Sequence, residues 1–335
     1  MFQFALPLNR FQWPNFWDET FSRSGLLTVE VGFGNGQYLA HMAEHRRDEN
    51  FVGLERSVPS IRNAERKIAQ AKLQNVCLVR AAALSALWLL FRPCIISALI
   101  INFPDPWPKS SHQHRRVVSD NFLNLAASRM RHGGRLEIAT DHGGYATWIT
   151  ERLARSPYFE SDLSAAYTTR HQDRSPTKYE LKAINAGLQC HYFKWSRNST
   201  LSAETFSAPE EYVMPHLVLQ TPIDLDEIEK CFESRQIEDG TTKVRFIALY
   251  HSAKVNRLVV DTFIHEEPLE QRVLLSVAHR KTGDLMVSLH ETGYPRSTQG
   301  IHLAVYWLAE WIMGLAEPAN ITRHNLQLDS LLCRS

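Results

Sequence analysis

Short apolar runs alternate with amphipathic stretches over the first 200 of the 335 residues. Five of the runs have the length and β-branched content of strands: LLTVEVG, NFVGLE, VCLVRA, CIISALIINF and RLEIAT. Between them, residues 37–45, 60–73 and 120–131 have the spacing of helices, and Gly133 and Gly134 are predicted to stop the last of these. Strands that alternate with helices predict a doubly wound, mostly parallel α/β sheet, which binds ligands at the carboxyl ends of its strands.

The pattern changes beyond residue 197. Residues 198–215 are polar and carry Pro and Ser, which predicts a linker. An acidic helix is then predicted over residues 224–234, followed by four β-rich runs and a helix over residues 301–315. The pattern therefore predicts four segments: an N-terminal extension (1–24), the α/β domain (25–197), the linker (198–215) and a C-terminal α+β domain (216–335).

Composition narrows the class of protein. The chain is 44% hydrophobic and 22% charged, as globular proteins are. Its longest apolar run, residues 86–101, is interrupted by Arg92 and Pro93 and is shorter than the roughly 20 residues that span a bilayer, so we predict no membrane span. The five cysteines are scattered and form no C-x-x-C pair, which argues against disulfides and zinc. No secretory signal is evident, and a cytoplasmic location is predicted.

The charge is distributed unevenly. Residues 1–200 carry 25 Lys and Arg against 17 Asp and Glu, a net charge of +8, whereas residues 201–335 carry 12 against 19, a net charge of −7. A basic surface attracts polyanions and an acidic one does not. If the protein binds nucleic acid, the first 200 residues are therefore expected to hold it.

A glycine-rich turn follows the first predicted strand. In VEVGFGNG, Gly32, Gly34 and Gly36 form a G-x-G-x-G pattern, which differs from the G-x-G-x-x-G of nicotinamide-binding domains. Glu30 precedes them in the strand, and Glu55 ends the next strand, where an acidic residue commonly binds a ribose. Glycine lets the backbone approach a ligand closely, and Glu30 can face a cation such as the ammonium or sulfonium of S-adenosylmethionine. An ordinary strand-to-helix turn with a surface carboxylate is the alternative.

The stretch FPDPWPKSSHQHRR follows the fourth strand. Pro104 and Pro106 fix two φ angles, so Asp105 between them is held in few conformations. The residues after it are basic and predict a loop that contacts phosphate, although the paired arginines also suit the solvated start of a helix: Lys109, His112, His114, Arg115 and Arg116. No nearby cysteine or carboxylate completes a metal site with the two histidines, so none is predicted.

Together these stretches resemble the bacterial tRNA (guanine-N7)-methyltransferase family. VEVGFGNG, FVGLE, FPDPWPKSSHQHRR, ATDHGGYATWI and SPTKYE occur in family order over residues 25–197. The resemblance implies a Rossmann-like class I methyltransferase domain. It also implies transfer of a methyl group from S-adenosylmethionine to N7 of a tRNA guanine, guanine 46 of the variable loop.

The resemblance also implies roles for particular residues. It places Asp105 at the catalytic centre, and it assigns the cofactor to Glu30, Gly32, Gly34, Gly36, Glu55, Ala82 and Asp105. It assigns the substrate to Lys109, Asp141, Thr177 and Glu180, with Arg115 and Arg116 on RNA phosphates. Asp141 is alternatively a helix cap. Ala82 stands where the family usually has an acidic residue near the adenine, and the loss of that hydrogen bond would cost about 0.5–1.5 kcal/mol.

Two alternatives to this enzyme remain at this point. The alanine at position 82 and the appended domain also suit an RNA-binding protein with weak or lost catalysis. A methyltransferase that acts on another structured RNA would carry the same basic surface. Residues 198–335 have no counterpart in the resemblance, and the domain they form could mediate homo-oligomerisation or bind a protein partner.

Overall fold

The computed structural model describes residues 5–170, 176–202, 206–252, 254–292 and 295–328. Ser175 of the SPTKYE motif lies outside these residues. The chain divides into two compact units, Met1–Ala208 and Pro209–Ser335. The division falls inside residues 198–215, where a linker was predicted.

The first unit contains an eight-stranded sheet in the order β1-β4-β3-β2-β5-β6-β8-β7. Strands β1 to β6 run parallel to one another, and β8 runs antiparallel to both β6 and β7. The strands are β1 (Leu6–Pro7), β2 (Leu27–Val31), β3 (Asn50–Glu55), β4 (Val76–Arg80), β5 (Ile96–Asn102), β6 (Met130–Thr140), β7 (Phe159–Ser161) and β8 (His191–Arg197). The five runs predicted as strands are β2 to β6, so the doubly wound, mostly parallel sheet is confirmed.

The described residues of the first unit form seven α-helices beside this sheet: α1 (Trp17–Phe21), α2 (Gln37–His45), α3 (Val58–Gln70), α4 (Ala83–Leu90), α5 (Asp120–Arg129), α6 (Gly143–Arg155) and α7 (Lys178–Asn185). The prediction for α2 is confirmed at both ends. Helix α5 ends at Arg129, before the glycines predicted to stop it. Gly133 and Gly134 instead lie where the register between β5 and β6 shifts, so their role is a break in pairing.

The central strands are buried on both faces. All five residues of β2 and all seven of β5 are buried, and Val29, Leu99 and Ile101 are fully inaccessible to solvent. Each such side chain contributes about 1.5–3 kcal/mol through burial. Because the apolar side chains of these strands are packed in the core, the backbone is fixed in position up to the polar residues at the strand ends.

The second unit has its own antiparallel sheet and its own core. Its elements are β9 (His216–Gln220), α8 (Leu225–Cys231), β10 (Arg235–Asp239), β11 (Thr242–Ser252), β12 (Arg257–Glu266), β13 (Leu269–His279), β14 (Leu285–Leu289), α9 (Gln299–Met313) and β15 (Asn320–His324). The sheet order is β10-β11-β12-β13-β14-β9-β15, and α9 packs on it through Ile301, Ala304 and Leu308. The predicted α+β domain is confirmed. Over the described residues, no helix is both long and apolar enough to cross a membrane.

Candidate functional site

The strand order of the first unit reverses between β2 and β5. These two strands are neighbours, but the chain forms β3 and β4 before it returns to β5 on the other side of β2. Such a reversal leaves a crevice at the carboxyl ends of the two strands, which is where doubly wound sheets bind ligands. Here the crevice lies between Gly32, after β2, and the residues that follow Asn102 at the end of β5.

A buried carboxylate lies beside this crevice. Glu30 is 1% exposed, and its Oε1 accepts a hydrogen bond of 3.0 Å from Nδ2 of Asn102. Both residues line a cavity together with Gly32, Asn35, Thr177 and Tyr179. Because a carboxylate is costly to bury without hydrogen bonds or opposite charge, its place beside a cavity favours a cationic ligand group.

The backbone of this turn requires glycine at three positions. Gly32, Gly34 and Gly36 have φ angles of +69°, +54° and +72°, which side-chain-bearing residues rarely adopt. A Cβ on Gly36 would lie 2.4 Å from Cβ of Ala64 in α3, so this glycine allows α2 and α3 to pack closely. A Cβ on Gly32 would meet no protein atom within 4 Å. The backbone at Gly32 is therefore open to a ligand.

The carboxylate of Glu55 shapes the same turn. Its Oε2 accepts a hydrogen bond of 3.1 Å from the amide of Gly34, and its Oε1 accepts bonds of 2.7 and 2.9 Å from the amides of Arg56 and Ser57. An ionised carboxylate accepts about four hydrogen bonds. These three hydrogen bonds leave the Glu55 carboxylate able to accept about one more. A carboxylate at this strand end often accepts two, one from each ribose hydroxyl.

Ala82 lies at the same edge of the sheet. It caps the N-terminus of α4, directly after β4, and makes no side-chain hydrogen bond there. The methyl side chain can pack against a ligand but offers it no acceptor.

The Asp105 loop, residues 103–109, leaves the end of β5 between two strained residues. Phe103 has a φ of +49° and Trp107 a φ of +40°, and they bracket the segment Pro104, Asp105 and Pro106. Positive φ in a residue other than glycine costs on the order of 1–3 kcal/mol and is concentrated at functional sites. The amide of Phe103 is fixed by a hydrogen bond of 2.8 Å to the carbonyl of Ala139. Asp105 is exposed at the tip.

Basic side chains surround the Asp105 loop. Lys109, His114 and Arg115 are exposed, and Ser110–Arg115 forms a 3-10 helix. The Arg115 guanidinium lies 5.0 Å from the centre of the Trp107 ring. Lys109, His114 and Arg115 are accessible to a polyanion, and Trp107 is partly covered by its neighbours.

Arg116 differs from the other basic residues of this loop. It is 6% exposed, and its Nε and Nη2 donate hydrogen bonds of 2.8 and 3.3 Å to the carbonyls of Pro106 and Trp107. Its guanidinium also lies over the rings of Tyr145 and Trp148. The guanidinium of Arg116 is therefore occupied inside the protein, and its contact with RNA phosphate stays a prediction.

Asp141 does not cap α6. It is half-buried at the end of β6, and the cap is His142, whose Nδ1 accepts a hydrogen bond from the amide of Tyr145. The alternative of a helix cap at Asp141 is therefore wrong. A role in substrate binding stays a prediction for this residue.

Thr177 and Glu180 form a capping box at the start of α7. The amide of Glu180 donates to Oγ1 of Thr177, and the amide of Thr177 donates to Oε2 of Glu180. Oε1 of Glu180 accepts a hydrogen bond of 2.7 Å from the hydroxyl of Tyr192, and Glu180 is fully buried. Burial and this bond raise the pKa of Tyr192 above its usual value. Both carboxylate oxygens of Glu180 accept hydrogen bonds inside the protein, and the contact between Glu180 and a guanine stays a prediction. Thr177 lines the cavity.

Three residues of the site were not predicted from the sequence. Asn102 is a polar residue that closes an apolar strand, a signal that the sequence did contain. Tyr145 and Trp148 are three residues apart on α6, which is the usual spacing of core residues. The sequence around them does not indicate that their rings contact Arg116.

One group of side chains in the second unit has the composition of a metal site. Asp226, Glu229 and His251 are the members found among the described residues. Nδ1 of His251 lies 2.9 Å from Oε2 of Glu229, a hydrogen-bond distance. Nε2 of His251 is buried without a hydrogen-bond partner, whereas a metal-bound histidine almost always donates its second N–H. The contacts are therefore those of a hydrogen bond between two side chains.

The reversed strand order, the glycine turn and the acidic residues that end its strands define a Rossmann-like class I methyltransferase fold. A family model described as "Putative methyltransferase" matches residues 24–193, about half of the chain, and the chain belongs to this family.

Relatives named "tRNA (guanine-N(7)-)-methyltransferase" match more of the chain. One from Deinococcus radiodurans is 28% identical over 85% of this chain and 88% of its own length. One from Thermus thermophilus is 29% identical over 91% and 95%, and one from Corynebacterium diphtheriae is 34% identical over 53% and 70%. The predicted resemblance is confirmed. The first two matches are too long for the first unit alone, so the expectation that residues 198–335 have no counterpart is corrected.

Proposed function

We propose that this protein transfers a methyl group from S-adenosylmethionine to N7 of a guanine in tRNA, guanine 46 of the variable loop. The proposal rests mainly on three features that lie at one crevice. The open backbone of Gly32, the buried carboxylate of Glu30 and the Asp105 loop all emerge where the strand order reverses. The names of the relatives support tRNA as the substrate.

The residues present fit the cofactor. Glu30 would face its cationic amino-acid end, Gly32 would let the backbone approach it, and Glu55 would accept a hydrogen bond from one ribose hydroxyl with its remaining capacity. Ala82 would pack against the adenine. Bound at this crevice, S-adenosylmethionine would supply a methyl group on a positively charged sulfur. Guanine N7 would accept the methyl group with its lone pair as the carbon–sulfur bond breaks and the sulfur leaves as a neutral thioether.

Asp105 would stabilise the charge that develops on the guanine. N7 carries no proton, so no general base is needed, but the methylated ring becomes cationic. A carboxylate held in place before the reaction stabilises such a charge more effectively than mobile solvent does. The two prolines and the strained residues around Asp105 restrict its positions, which favours alignment of the reacting atoms.

The exposed basic residues beside Asp105 would contact the RNA backbone. Lys109 and Arg115 would bind phosphates, and the net charge of +8 over residues 1–200 supports a polyanionic substrate. Asp141 and Thr177 would contact the guanine or its surroundings. A guanine stacked inside folded tRNA must leave its stack to reach the crevice, as bases do in other enzymes that modify them.

The test is nucleoside mass spectrometry of an unmodified tRNA transcript incubated with the full chain and S-adenosylmethionine. We expect 7-methylguanosine, and we expect none when guanine 46 is replaced by adenosine. If 7-methylguanosine still forms after this replacement, the proposed reaction stands but guanine 46 is not its site. Calorimetric binding of cofactor and tRNA without any 7-methylguanosine would favour an RNA-binding protein with lost catalysis.

A further inference from the structure

We propose that Arg116 is a positioning residue for methyl transfer: its buried guanidinium holds the Asp105 loop in its strained conformation. The proposal rests on the proposed function only in assigning the reaction to Asp105. The loop geometry itself comes from contacts within the first unit.

The contacts of Arg116 fall on the residues directly after Asp105. Nε donates to the carbonyl of Pro106 at 2.8 Å, and Nη2 donates to the carbonyl of Trp107 at 3.3 Å. Trp107 is the residue with a φ of +40°. A strained conformation persists only where surrounding contacts fix it, and these two hydrogen bonds fix the peptide groups on both sides of that φ angle.

Arg116 is itself held from the opposite side. Its guanidinium lies 4.6 Å from the ring centre of Trp148 and 5.1 Å from that of Tyr145, both on α6. These two rings are fixed by one residue, because Nε1 of Trp148 donates to the carbonyl of Val118 and the amide of Val118 donates to the hydroxyl of Tyr145. The contacts therefore connect α6 to the Asp105 loop through a planar cation.

The chemistry requires arginine. A guanidinium can donate two hydrogen bonds in a fixed plane while its face stacks on aromatic rings, whereas the ammonium of lysine is a point charge without a stacking face. The adjacent Arg115 is exposed, with its guanidinium 5.0 Å from the Trp107 ring centre. Two neighbouring arginines are thus assigned different tasks: Arg115 to RNA and Arg116 to loop geometry.

The first measurement is independent of activity. Hydrogen exchange followed by mass spectrometry reports on the amides of Phe103, Asp105 and Trp107 in peptides that cover residues 103–109, and the amide of Phe103 is bonded to the carbonyl of Ala139. We expect Arg116→Lys and Arg116→Ala to accelerate exchange in these peptides. Arg152→Ala is the matched control, because Arg152 also stacks on Trp148 and its side chain bonds to the carbonyl of that residue, on α6. Unchanged exchange in both Arg116 variants would overturn the proposal, even if the protein proved not to methylate tRNA.

The second measurement separates kcat from tRNA binding. We expect Arg116→Ala to lower kcat about 100-fold, the scale of effect expected when a reacting group is displaced by about 1 Å, with KM for tRNA changed less than about threefold. Arg116→Lys should recover part of kcat. Arg115→Ala should instead weaken tRNA binding and reduce the slope of log K against log salt by about 1. The opposite pattern, with Arg116→Ala reducing the salt slope and sparing kcat, would make Arg116 a phosphate contact.

A double-mutant cycle tests whether Arg116 acts through Asp105. If it does, Arg116→Lys will lower kcat much less in an Asp105→Asn background than in the wild type, because coupled residues are not additive. Full additivity would contradict action through Asp105. If Asp105→Asn alone leaves kcat unchanged, the proposed catalytic role of Asp105 fails, and the exchange data still decide the role of Arg116.

Discussion

Nδ2 of Asn102 donates a hydrogen bond of 3.0 Å to Oε1 of Glu30, and this bond joins the end of β5 to β2 across the reversal of strand order. The two residues are 72 positions apart in sequence. Their contact brings the two sides of the crevice together at a carboxylate that is 1% exposed.

Removal of this bond is expected to destabilise the first unit. Asn102→Ala should lower the free energy of unfolding by about 1.5–3 kcal/mol, because a hydrogen bond to a charged group contributes that much and the Glu30 carboxylate would stay buried. Urea titration with hydrogen exchange in β2 and β5 measures the loss. Asn63→Ala, at an exposed position of α3, is the control and should change stability by less than about 0.5 kcal/mol. Equal losses in the two variants would show that the bond is unimportant.

Gly36 and Gly32 offer a matched comparison. Both have positive φ, so alanine at either position brings backbone strain of about 1–2 kcal/mol. At position 36 the added Cβ also overlaps Ala64, which should cost a further 1–3 kcal/mol or so. We expect Gly36→Ala to unfold at a lower urea concentration than Gly32→Ala, and Gly32→Ala to bind S-adenosylmethionine more weakly in calorimetry. Wild-type affinity in Gly32→Ala would show that no ligand approaches that backbone.

Asp105→Asn tests the proposed electrostatic role at nearly constant size. We expect kcat to fall about 100- to 1,000-fold, as when one preorganised charge-stabilising group is removed from an active site, with tRNA affinity within about threefold of wild type. Single-turnover kinetics and filter binding measure the two quantities. Asp120→Asn, an exposed carboxylate of α5 that pairs with Arg155, is the control and should keep full activity. Loss of tRNA affinity in Asp105→Asn, without loss of the chemical rate, would reassign Asp105 to binding.

We expect His302 to make the stability of the second unit depend on pH. It is fully buried, and Nδ1 accepts a hydrogen bond from the amide of Gln327 while Nε2 faces the carbonyl of Val213. Burial lowers the pKa of His302 below its ordinary value of 6.5, and the bond to Val213 opposes this in part. The neutral ring is therefore the form that the folded unit accommodates.

Below pH 6.5 the unfolded chain takes up a proton at His302 before the folded chain does. The free energy of unfolding should therefore be constant at higher pH and fall as the pH decreases from about 7 toward 5. Denaturant titrations of the second unit at several pH values measure this. The exposed residue His279 supplies a control: His279→Gln should retain the dependence that His302→Gln loses. An identical slope in the His302→Gln variant would exclude His302 as its source.

The sequence predicted α2 to the residue, but it did not predict α4. The apolar spacing of residues 37–45 shows one buried face, whereas residues 83–90 are apolar on every side and show no period. Glycines 133 and 134 suggested a helix stop, but their effect depends on the pairing between β5 and β6, which local sequence does not encode.

Motif order predicted that residues at the ends of several strands would lie at one edge of the sheet, because strand ends of a doubly wound sheet meet there, and Glu30, Gly32 and Thr177 do line one cavity. It could not distinguish Arg115 from Arg116. The two are adjacent and chemically identical, and only the fold brings Tyr145 and Trp148 against one of them. For the same reason the sequence did not show that the Glu180 carboxylate is engaged by Tyr192 and by its own helix.

The Asp105 loop has little conformational freedom. Three prolines, two residues at positive φ and the two bonds from Arg116 restrict residues 103–109, and ordering a backbone costs about 1–2 kcal/mol per residue. The conformational entropy of the loop is lost when the chain folds, so RNA binding does not have to order the loop. The strained backbone of this loop lowers the free energy of unfolding. A substitution that relaxed this strain would therefore produce a more stable but slower enzyme.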